Sequence, residues 1–98
     1  MIVQIPLSAI PWQEFDIVLN GQNCTISLRQ IAESLFCDLT VDGVEIFKGR
    51  ICEDDSPINL YPSRYFTGTL FFEDTKGAEN PQYQGLNSRW VLLYDDEQ

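Results

Sequence analysis

The sequence contains no histidine. That removes the commonest general base and the commonest nitrogen ligand for metals. Neither a serine–histidine nor a cysteine–histidine nucleophile can be assembled. GxSxG, the Walker phosphate loop and GxGxxG are all absent. Carboxylates are the remaining candidates for acid–base work. Glu73 and Asp74 are adjacent on a predicted strand end, where consecutive side chains point to opposite faces and do not share one substrate. Glu53-Asp54-Asp55 could gather around a calcium ion, but it lacks a spaced D-x-D-x-D-G loop with a distant glutamate and reads as a solvated charge run. Asp95-Asp96-Glu97 lies in a short polar tail. Cys24, Cys37 and Cys52 are odd in number and form no CxxC pair, so they read as buried free thiols rather than a disulfide framework or a zinc site. No catalytic residue, metal or cofactor is expected.

The bulk numbers narrow the partners. The 98 residues fit one domain, and 44% hydrophobic with 21% charged residues suits a folded chain. Fifteen acidic against six basic residues give a formal net charge of −9. That disfavours nucleic acid and anionic membrane surfaces, both of which recruit Lys and Arg. It favours a basic partner, or solubility alone. The opening MIVQIPLSAIPW has no basic stretch, and Pro6 and Pro11 interrupt its apolar run, so it is not read as a signal peptide. No apolar stretch reaches the length of a membrane-spanning helix.

The elements that position these residues are predicted to be strands. Residues 1–12 read as an extended arm or edge strand, because proline cannot donate to a central ladder. From Glu14 to Leu19, Phe15, Ile17 and Leu19 share one face; Asn20-Gly21 then marks a tight hairpin. On the return run Gln22–Arg29, Cys24, Ile26 and Leu28 face inward. Residues 30–34 suggest a single helical turn. From 35 to 42, Leu35, Cys37, Leu39 and Val41 alternate with Phe36, Asp38, Thr40 and Asp42. Asp42-Gly43 marks a second hairpin, and Gly49 a bulge in the strand that follows. Residues 53–64 form a long irregular loop of the kind that often carries function. A strand reaches Glu73; residues 74–88 are rich in turns. The apolar run of the last strand, 89–94, predicts burial on both faces. The tail 95–98 is polar. The whole predicts an all-β domain, a small antiparallel sandwich or barrel of about six to seven strands with little helix.

Aromatic residues make up 12% of the chain. Most are expected in the core, but Trp12, Tyr61, Tyr65 and Tyr83 fall in or beside irregular segments, where they could anchor a protein interface. Arg29, Arg64 and Arg89 are isolated cations that pair internally or serve an interface. The candidate interface residues are Ile5, Leu7, Trp12, Leu60, Tyr61, Arg64, Tyr65, Tyr83 and Arg89. The arm 1–11 and the loop 53–64 are expected to order only on docking, by adding main-chain hydrogen bonds to a neighbour.

An ordered set of short motifs runs nearly the whole length: Ile5-Pro6-Leu7, Gln13-x-Phe15, Leu19-Asn20-Gly21-Gln22, Leu28-Arg29, and Asp38-Leu39 with Asp42-Gly43. It continues through Pro57-Ile58, Tyr65, Gly68-x-Leu70-Phe71-Phe72, Pro81-x-Tyr83 and Arg89-Trp90-x-Leu92-Leu93-Tyr94. This set resembles the phage baseplate plug family. The resemblance implies a non-enzymatic virion protein of a contractile tail, placed near the hub and the distal end of the tail tube. It implies several copies per particle, contacts with hub, tube-end, spike or wedge subunits, and assembly in the host cytoplasm. Two other readings stand beside it: a small acidic inhibitor that mimics nucleic acid, which needs a contiguous acidic face, and a carbohydrate-binding module, which needs coplanar exposed rings. The acids, spread over turns and both strand faces, favour the assembly role.

Overall fold

The computed structural model describes residues 2–59 and 64–96. Seven strands form two antiparallel sheets: β1 (Ile2–Ile5), β2 (Trp12–Leu19), β3 (Gln22–Ile31), β4 (Ser34–Val41), β5 (Val44–Ile51), β6 (Thr69–Asp74) and β7 (Trp90–Asp95). Four of them make a meander in the order β2-β3-β4-β5; the other sheet runs β1-β7-β6. The architecture is a sandwich, not a closed barrel.

Alternation sets the meander. Cys24, Ile26 and Leu28 on β3, and Leu35, Cys37, Leu39 and Val41 on β4, are buried, while their neighbours in sequence face outward. Burying each of the aliphatic side chains among these contributes roughly 1.5–3 kcal/mol. From the other sheet, Ile5, Leu70, Phe72, Trp90, Leu92 and Tyr94 complete a single core. Both predicted tight turns form, with positive φ at Asn20 and Gly21 and again at Asp42 and Gly43, as two-residue hairpins favour. Gly49 lies where the β4–β5 register shifts, and its amide donates to Asp38 Oδ1 at 2.6 Å.

Four expectations need correction. Residues 30–34 do not form a helical turn: β3 runs to Ile31, β4 starts at Ser34, and Ala32 sits in the turn at a φ of 55°. The Gln30 side chain supports that turn by donating to Ala32 O at 3.0 Å. For the beginning of the chain the edge strand holds, and the expectation of order only on docking needs correction, because β1 already pairs with β7 at the edge of its sheet from Ile2–Asp95 to Ile5–Leu92. The first half of the long loop is fixed as well. Asp55 N donates to Phe72 O and Ile58 N to Leu70 O, each at 2.8 Å, and the Asn59 side chain bonds Gly68 O and Leu70 N at 2.9 Å. Residues 54–59 thereby cover the edge of β6. Finally, β7 is central in its sheet, but only Trp90, Leu92 and Tyr94 are buried; Val91 and Leu93 are half-buried.

Side-chain amides tie the sheets together at both ends. At one end Gln22 Nε2 donates to Thr67 O at 3.2 Å and to the Tyr94 hydroxyl at 3.3 Å, while its Oε1 accepts from Thr67 N at 2.8 Å. The Tyr94 hydroxyl itself donates to Thr67 O. At the other end Gln30 donates to Gln82 Oε1 at 2.8 Å and accepts from Tyr83 N at 3.0 Å; Gln82 Nε2 donates to Glu33 O at 2.7 Å.

Asp74 anchors the turn-rich segment. Its carboxylate accepts from Arg89 Nε and Nη2 at 2.8 Å and from Lys76 N and Glu79 N at 2.9 Å. Hydrogen bonding from Arg89 holds this carboxyl well below the usual carboxylate range, against the opposing effect of burial. The native form therefore binds its proton less readily than the unfolded chain. The stabilisation is full at neutral pH, starts to fall as pH drops past the ordinary value near about 4, and continues to erode below it.

Two tests follow from these packing facts. A Cβ at Gly68, whose φ is +112°, would lie 2.3 Å from Tyr94 Cε1. Gly68→Ala therefore combines backbone strain with overpacking and is expected to lower stability by about 2–4 kcal/mol in urea denaturation; a midpoint equal to wild type would contradict this packing. Asp74→Asn is expected to lower the melting temperature most at pH 7, with the gap to wild type shrinking between about pH 4 and pH 2 in thermal circular dichroism.

Candidate docking surfaces

The outward face of the meander is graded. Strand register places Trp12 opposite Arg29, Arg29 opposite Phe36, and Phe36 opposite Ile51. One row across all four strands thus reads Trp–Arg–Phe–Ile. Trp12 is 61% exposed and Ile51 45%; Ile31, opposite Ser34 in the adjoining row, is 55% exposed. With strands spaced near 4.8 Å, the row spans about 14 Å. Arg29 Nη1 donates to Asp38 Oδ2 at 2.7 Å, and Asp38 also accepts from Gly49 N, so the only cation in the row is held in a fixed geometry.

Beyond this row the face turns polar, except for Val18, 64% exposed at the far end of β2. Glu14 lies opposite Ser27, which pairs with Asp38; Asp16 opposes Thr25, which pairs with Thr40 opposite Glu45. A shallow groove of about 170 Å³ is lined by Glu14, Asp38, Glu45 and Lys48. The acids are less scattered than the sequence suggests, since Glu14, Asp16, Asp38 and Glu45 share one face. Asp16 accepts from the Thr25 hydroxyl at 2.7 Å. Neither Glu14 nor Glu45 forms an ion pair among the described residues.

The predicted interface residues fall in different places. Trp12 is on the meander face. Ile5 and Leu7 are buried in this chain's own core, so they offer no surface; a strand residue that reads as apolar arm here fills the sandwich. Tyr65 is 53% exposed, and the Arg64 guanidinium lies 5.5 Å from its ring centre. Tyr83, in a short 3-10 turn, is half-buried against the core. Arg89 is an internal strut: it holds Asp74 and stacks 4.5 Å from the Trp90 ring centre. Leu60 and Tyr61 lie outside the described residues. The structure thus brings Trp12 together with Ile31, Phe36 and Ile51, which the sequence reading did not single out. The available signal was Phe36 itself, an aromatic residue in the polar phase of an alternating strand.

The three thiols are buried and unpaired by disulfides. Burial pushes Cys24 up to about 11, and hydrogen bonding with Cys52, reinforced by burial, raises Cys37, so both stay protonated near neutrality. Of the Glu53-Asp54-Asp55 run, Asp54 accepts from Asp74 N at 2.8 Å, and no group of three metal-ligating side chains occurs among the described residues.

The sequence model of the family described as cyanophage baseplate Pam3 plug gp18 matches residues 2–97. The chain belongs to this phage baseplate plug family. No curated protein matches it.

Proposed function

We propose that the protein is a non-enzymatic structural subunit of a contractile phage tail baseplate, seated near the hub and the distal end of the tail tube, where several copies contact hub, tube-end, spike or wedge subunits. The family match over residues 2–97 carries this reading. The geometry supports it. An internally braced sandwich, fastened at both ends by glutamine side chains, keeps its shape while presenting an apolar row on one outer face. Protonated, buried thiols and the absence of histidine leave little material for bond-making chemistry. Assembly in the host cytoplasm fits three free thiols.

The test is purification of intact tails followed by mass spectrometry and cryo-electron microscopy. The chain is expected in the baseplate, with density for a sandwich of this size close to the tail axis at the tube end. Absence from the particle, or density confined to the baseplate periphery, would overturn the proposal.

A further inference from the structure

We infer that the outer face of the β2-β3-β4-β5 sheet seats a neighbouring subunit of a different kind, whose matching surface is an apolar patch rimmed by Lys and Arg. This rests on the baseplate reading and specifies the surface and the chemistry of the partner.

Three observations carry it. First, Trp12, Ile31 and Ile51 expose about half or more of their surface within one patch, and Phe36 floors it. Exposed apolar residues scattered singly need no explanation, whereas a contiguous set marks a contact. On the opposite outer face Ile2 is 55% exposed at the edge strand, but the central apolar residues Phe71, Val91 and Leu93 are half-buried. Second, tryptophan and arginine are the residues that dominate interface energy. Here Arg29 lies between Trp12 and Phe36, pre-organised by Asp38 at 2.7 Å, so little order is lost on docking. Third, charge decides the occupant. Glu14, Asp16, Asp38 and Glu45 stand on this face against Arg29 and Lys48, and the whole chain carries a formal −9. A second copy would bring the same acids into apposition, and like charges across an interface are repelled. A surface with a basic rim gains attraction where a second copy meets repulsion.

The experiment places a benzophenone-bearing amino acid at position 12 and, separately, at position 73 on the opposite outer face, then irradiates assembled particles. Position 12 is expected to cross-link a different baseplate protein, at peptides rich in Lys and Arg. A cross-link to another copy of this chain, a cross-link to an acidic surface, or no cross-link from position 12 while the chain is present in the particle would overturn the inference and leave the baseplate reading standing. A chain missing from the particles would sink both. As a companion measurement, Trp12→Ser is expected to leave the melting temperature of the isolated protein near wild type and to lower incorporation into particles by about tenfold or more, the loss of one interface anchor. Normal incorporation of a folded Trp12→Ser protein would count against the face.

Discussion

The two sheets of this sandwich share no backbone ladder: β2 to β5 pair only among themselves, as do β1, β7 and β6. What joins them is an apolar layer contributed by one face of each, from Ile26, Leu28, Leu35 and Leu39 on one side to Leu70, Phe72, Leu92 and Tyr94 on the other. Dispersion and hydrophobic burial set the spacing between the sheets but do little to fix their lateral alignment. Directional bonds supply that alignment. Gln22 grips Thr67 and Tyr94 at one end, and Gln30 with Gln82 fastens the β3–β4 turn at the other. Each amide engages the opposite side of the sandwich through both its nitrogen and its oxygen, and Gln22 and Gln30 each make a second donation within the meander, to Leu19 O and Ala32 O, so both alignment and polar satisfaction come from the same side chains.

The two faces of the meander differ in composition. Inward positions of the meander carry aliphatic residues, thiols and the rings of Phe15 and Phe47. Outward positions carry the Trp12–Arg29–Phe36–Ile51 row and the carboxylates beyond it. The Asp74–Arg89 pair is an internal brace, with the Asp74 carboxylate buried and the Arg89 side chain 30% exposed: it stitches residues 74–79 to the start of β7.

Much of the meander was legible because its signals are local. Two-residue turns and strict alternation over Cys24–Leu28 and Leu35–Val41 fix strand identity and facing without long-range information. The β1–β7 pairing was not legible, since it joins opposite ends of the chain and nothing local announces a partner. The Ala32 turn escaped because alanine rarely adopts positive φ; the cost is met by Gln30, a contact visible only in three dimensions. For the candidate surfaces the difficulty was register. Trp12 stood out alone, but its alignment with Phe36 and Ile51 depends on three strand pairings read together. Ile5 and Leu7 were misplaced for the converse reason: an apolar residue beside a proline looks the same whether it lies in a free arm or under a sheet.

The outer strand β5 has a further consequence. Its ladder with β4 shifts register twice within a few residues, at Lys48-Gly49 and again at Ile46, and its partner sheet has one flank already occupied by residues 54–59. A crooked border cannot template a straight incoming strand, and an occupied one has no vacant amides to offer. Β-rich subunits made in quantity ahead of assembly run the hazard of stacking flank to flank into fibres. On these two flanks the chain is guarded against that outcome; β1 and β2 form the other two.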